Sequence, residues 1–137
     1  MKTLSIPLLV VSGLLSALNL SAQATSPSVF YGPYLQSSAA QFAGNWTRSD
    51  GTYRLVLAVD AAGEVTAKYF NPQPIQVEST ALVAYEDVLV VKVVLRDQGY
   101  PGSTYELQYL PQFRLLVGRY TIPGQEPVEV FFQRSER

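Results

Sequence analysis

Apolar and polar residues alternate with a period of two through most of the chain, and the signal is clearest between residues 88 and 120. The run 88–96 is dominated by β-branched residues and is too short for a packed helix; Lys92 and Arg96 share one parity, and Leu89, Val91, Val93 and Leu95 share the other. The second set faces a core. Residues 103–109 alternate strictly, with Tyr105, Leu107 and Tyr109 against Thr104, Glu106 and Gln108, as a half-buried antiparallel strand does. The stretch between them, Asp97-Gln98-Gly99-Tyr100-Pro101-Gly102, reads as a loop.

The same pattern recurs on both sides. A first strand is predicted at 42–48, with Gly44, Trp46 and Arg48 on one parity. A second at 52–59 turns Tyr53, Leu55, Leu57 and Val59 inward, and a third at 64–70 does so with Val65, Ala67 and Tyr69. A fourth at 75–85 places Ile75, Val77, Ser79, Ala81, Val83 and Tyr85 on one face. After the strands at 88–96 and 103–109, 114–121 turns Leu116, Gly118 and Tyr120 inward. The last, 128–134, turns in Val128, Val130, Phe132 and Arg134. Eight consecutive hairpin-linked strands make an all-β, antiparallel up-and-down meander, and closing it as a barrel removes both sheet edges. Closure brings Trp46 and Arg134 together at one rim, where a guanidinium over an indole is worth about 0.5–2 kcal/mol. Short turns fall on that rim. The longer connections, 71–74, 97–102 and 122–127, fall on the other.

The first 40 residues do not share the alternation. Lys2, an apolar run over 4–20 and the small-x-small site Ala22-Gln23-Ala24 predict a secretory signal over 1–24, hence a protein exported to the periplasm or beyond. Residues 25–40 mix Pro and Gly with Phe30, Tyr31, Tyr34 and Leu35 and read as an arm, flexible or docked; the barrel domain is expected over 41–135.

Composition removes chemistry rather than adding it. The chain has no cysteine, which excludes disulfides, thiol catalysis and thioether lipidation, and no histidine, which removes the usual general base and metal ligand. Ten basic residues are scattered among eleven carboxylates, without the basic patch that nucleic acid or anionic lipid requires. Outward residues Gln76, Glu78, Glu106, Gln108, Glu129 and Gln133 argue against insertion in a membrane. Asp97 beside Arg96 reads as a turn-capping carboxylate, since no second carboxylate converges on it. No catalytic constellation, metal site or cofactor is expected, and the protein is not expected to be an enzyme.

With Gly44-Asn45-Trp46 and the closing Arg134, the chain resembles the calycin barrels, the lipocalins and avidins, and in plan it is nearer the avidins: a short meander, an opening Gly-x-Trp, Gly51, and a third strand ending in Ala67-Lys68-Tyr69. That likeness implies a ligand contact at Tyr69 and a lid at 71–74. The chain departs from it in having a single tryptophan, and in carrying Arg48 about where avidins place a ligand-binding asparagine, so biotin is not implied. The runs 69–75 and 99–105 also resemble a family of small exported bacterial proteins, which implies export and the barrel and brings no activity with it.

The inward positions of the loop-bearing rim include Arg48, Tyr53, Tyr69, Ser103, Tyr105 and Tyr120, with Asn71 and Tyr100 in the loops above. Tyrosine hydroxyls could orient a small, partly apolar ligand while Arg48 holds an anionic group, which makes a non-enzymatic ligand-binding barrel the leading expectation. The alternative is a filled-core protein-interaction module. It would act through Val88, Val90 and Val94 on the outer face of the fifth strand, a surface that also admits a second copy, and through the aromatic arm. A void beneath Tyr69, Tyr105 and Tyr120 favours the first reading; a solid interior favours the second.

Overall fold

A computed structural model describes residues 38–136; the expected signal sequence and residues 25–37 of the expected arm lie outside the described residues. Among those described, no helix is long and apolar enough to cross a membrane.

A single 3-10 turn, Ala39–Phe42, leads into nine strands: β1 (Gly44–Arg48), β2 (Arg54–Val59), β3 (Val65–Asn71), β4 (Gln73–Ile75), β5 (Val77–Tyr85), β6 (Val88–Asp97), β7 (Tyr100–Leu110), β8 (Leu115–Thr121) and β9 (Val128–Arg134). They form one antiparallel sheet in the order β4-β3-β2-β1-β9-β8-β7-β6-β5. The first and last strands pair, Trp46 opposite Arg134 and Arg48 opposite Phe132, so the meander curls back on itself. The other seam stays open as a ladder: β3 and β5 lie within 8 Å of each other at their Cα atoms, while β4 and β5 remain the ends of the hydrogen-bonded order. The result is an up-and-down sheet nearly closed into a barrel.

Nine strands appear where eight were expected because the fourth divides at Gln76. Gln73 to Ile75 pair with β3, and Val77 onward pairs with β6. Asn71 to Pro74 do not interrupt the ladder as expected, because Asn71 faces Gln73 directly across Pro72. The connection expected over 97–102 is also absorbed into strands. β6 runs to Asp97 and β7 starts at Tyr100, leaving a two-residue turn, and the register shift between Leu95 and Arg96 makes Gly102 a bulge with a φ of 93°.

A second bulge corrects the face assigned to β5. Val77 pairs with Leu95 but Ser79 pairs with Val94, so Glu78 is one residue extra. A single inserted residue exchanges the faces of all that follow. Thr80 and Leu82 therefore take the inner parity, Leu82 packing against the core, whereas Ser79, Ala81, Val83 and Tyr85 stand on the outer one.

On the remaining strands the period-two reading places the interior. Trp46, Leu55, Leu57, Val65, Tyr69, Val91, Val93, Leu95, Tyr105, Leu107, Leu116, Val130 and Phe132 form one buried cluster, joined by Phe42 from the 3-10 turn. At the rim of the short turns, the Arg134 guanidinium sits 4.2 Å from the Trp46 ring centre. It donates to the carbonyls of Ala43 (2.6 Å) and Gln41 (2.9 Å), and the Trp46 indole N–H donates to the Phe42 carbonyl at 2.8 Å. The incoming chain is thereby tied across this end, which shuts it.

Candidate functional site: the tyrosine rim

The opposite rim gathers seven of the residues singled out from sequence, Arg48, Tyr53, Tyr69, Asn71, Tyr100, Tyr105 and Tyr120. Arg48, the last residue of β1, points inward by parity with Trp46. Its Nη1 donates to the Tyr105 hydroxyl at 2.9 Å, while Nε and Nη2 form a two-pronged pair with Asp50 at 2.5 and 2.7 Å. Its guanidinium lies 4.1 Å from the centre of the Tyr53 ring. Below it, the Tyr69 and Tyr105 hydroxyls are 2.9 Å apart. The Tyr120 ring packs on Tyr105 with centres separated by 4.5 Å, and Tyr53 stacks on Tyr69 at 6.4 Å. Above, the Asn71 amide donates to the Tyr100 hydroxyl at 2.7 Å, and Tyr100 stands edge-on to Tyr69. This bond ties β3 to β7 across the barrel mouth.

These contacts set the charge state of the rim. Hydrogen bonding from Arg48 holds the Asp50 carboxyl below the usual aspartate range, and the same bond raises Arg48 further above its ordinary value. Burial pushes the Tyr105 phenol up to about 12 and raises those of Tyr69 and Tyr120 as well. All three phenols stay protonated at neutral pH. The cation is already matched by Asp50, so an anionic ligand would have to displace that carboxylate. Ser103, wholly buried, lies near enough to Tyr120 to ease its shift without being aligned for a good hydrogen bond.

Sequence reasoning missed Asp50, which lies in the turn between β1 and β2. The available signal was the Arg-x-Asp spacing across that turn, which brings an acid back over the strand end. It also treated Asn71 and Tyr100 as separate loop residues, although they are partners. Asp97 does cap its turn, accepting from the Gln76 and Gln98 backbone N–H groups at 2.7 Å each, which holds its carboxyl below the usual range.

The space beneath the rim is occupied by protein. Tyr69 is 1 % exposed and Tyr105 0 %, and a water-sized void against either ring would register as exposure. Trp46, Leu55, Leu95 and Phe132 fill the remainder. A cleft of about 790 Å³ does open at the other end, lined by Asn45, Phe113, Arg114, Leu115, Gln133 and Arg134 among others. Its Arg134 is committed to Trp46 and the chain entry. Among the described residues no group of three His, Cys, Asp or Glu side chains is placed to hold a metal ion.

Barrel and rim together define a small all-β protein, an antiparallel up-and-down barrel nearly closed, with one end sealed and a tyrosine-rich end. No protein-family model, curated protein or solved structure matches the chain.

Proposed function

We propose that this is an exported, non-enzymatic protein-interaction module with a filled interior, which presents its tyrosine rim to a protein partner. The observation that carries the reading is the plug formed by Tyr69, Tyr105 and Arg48, which takes the room a small ligand would need. An avidin-like site at Tyr69 would require that ring to withdraw from its stack. A surface role fits better. Tyr53, Tyr100 and Tyr120 are half-buried, held within the rim by the Arg48 cation and ring stacking at Tyr53, the Asn71 bond at Tyr100 and packing on Tyr105 at Tyr120, and flanked by exposed Val128, Pro72, Pro74 and Pro101. Rigid tyrosines offer contact area at low entropic cost, which is how protein-binding surfaces use them.

Crosslinking from the rim tests this. With a photo-reactive residue in place of Val128, irradiation in the native host should yield one discrete protein adduct; Gln112, on the sealed rim, should yield none. A small molecule co-purifying with the mature chain in native mass spectrometry, and lost on Tyr69→Ala substitution, would overturn the reading in favour of a ligand-binding barrel.

A further inference from the structure

The ion pair on the rim joins two unequal halves. The Arg48 side chain is 11 % exposed and the Asp50 side chain 56 %. Arg48 is held from within the barrel: Nη1 bonds the Tyr105 hydroxyl, and the guanidinium lies 4.1 Å from the Tyr53 ring centre and 5.7 Å from that of Tyr120. These partners are tyrosines, and among the described residues the matching negative charge comes from Asp50. They leave over the Nε–Nη2 edge, the flat pair of donors that fits a carboxylate. The acid seated on it belongs to the turn outside, residues 49–52, all four of them exposed. A nearly buried cation left without a counter-ion carries a large desolvation cost, whereas a carboxylate already half in water gives up little on leaving. Asp50 is therefore the exchangeable half of the pair.

The geometry points to the Arg48 edge as the place where the rim takes a carboxylate of its partner, an Asp or Glu side chain, with Asp50 as the built-in occupant which that side chain displaces. The inference rests on the rim being the partner-facing surface. What fits the edge is visible directly, because a carboxylate of this chain is seated there on two donors, at 2.5 and 2.7 Å. The exchange conserves charge and bonds: the two N–H···O contacts to Asp50 are given up and two to the incoming acid are made. The surroundings supply the rest of the affinity, since half-buried Tyr53 and Tyr120 and exposed Val128, paired across from Tyr120, meet the apolar part of whatever carries the acid. Asp50 adds selection. An isolated anion offers only the two bonds and loses to an acid tethered two residues away, whereas a partner that also covers the rings displaces it.

Removing the occupant tests this. In the mature chain carrying Asp50→Ala, acetate, the group at the end of an acidic side chain, should shift the Arg48 Nε–H resonance saturably, and chloride at the same ionic strength should not. The natural protein should need at least about fivefold more acetate for the same shift, because only molecules with the pair open can bind. Should Asp50→Ala unfold, Asp50→Asn removes the charge and keeps a side chain of the same shape in the turn. Equal acetate dependence in the natural and variant chains would overturn the inference. Photo-crosslinking from position 128 separates it from the rim reading: the Asp50→Ala chain should form the same protein adduct in higher yield. An adduct of equal yield from both chains would remove the carboxylate site and leave the rim reading standing; no adduct from either would take down both.

Discussion

Single residues decide how firmly the rim is closed. Tyr105 is its centre, since its hydroxyl takes a bond from Arg48 and meets that of Tyr69. Tyr105→Phe keeps the ring packing but leaves a guanidinium N–H and a buried hydroxyl short of a partner, and should cost about 1–3 kcal/mol in urea unfolding. Tyr69→Phe removes only the hydroxyl at the end of this chain of bonds and should cost less. The same pair sets an alkaline limit. Burial raises both phenols above the value of about 10 they have in an unfolded chain. Their contribution is therefore complete below about pH 10 and is lost as the pH climbs toward the Tyr105 value of about 12, because the unfolded chain releases protons that the folded one retains. Urea midpoints measured from about pH 9 to 11 should fall more steeply for the natural protein than for the double Tyr→Phe variant. At the acid end the sign reverses: Asp50, held low by Arg48, contributes above the ordinary aspartate range and loses that contribution as the pH drops below it.

At the scale of elements, two bulges and one close approach do the shaping. Gly102, at a φ of 93° and with the Arg96 guanidinium 3.2 Å from where a Cβ would stand, lets β7 gain a residue and still return to register at Ser103. Gly118 is different, for its backbone is ordinary and its need is spatial: a Cβ there would overlap the Glu106 carbonyl of the neighbouring strand. Gly102→Ala should cost about 1–3 kcal/mol through backbone strain. Gly118→Ala should cost about as much or more through overpacking and should shift the β7 and β8 amide resonances. Thermal unfolding followed by circular dichroism measures both costs. The parities of β1, β2, β3, β6, β7, β8 and β9 were legible because each has one buried face and an unbroken alternation. That of β5 was not. An extra residue such as Glu78 adds nothing to the local pattern that distinguishes it from any outward polar position, and only pairing with β6 reveals it.

For the molecule as a whole, the unfinished seam is the weak line. Among the described residues β5 pairs only with β6, and below Tyr69 the β3 edge has no ladder partner, so the join rests on the β4 hairpin, the Arg96 N–H to Gln76 carbonyl bond and Asp97. Native-state hydrogen exchange should open β5 and the lower half of β3 first and protect β1, β7, β8 and β9 longest. Uniform protection would mean that the seam closes in solution. The sequence by itself determined an antiparallel meander with one buried face, its direction of closure through Trp46 and Arg134, and which seven residues crowd one rim. It could do so because alternation and turn spacing are local properties, and parity carries them across a ladder. What only the tertiary structure decided was depth and partnership: that the tyrosines plug the mouth rather than line it, that Asp50 neutralises Arg48, and that β5 reverses its face. Those outcomes depend on volumes, hydroxyl directions and registers between segments far apart in the chain, and no local pattern encodes them.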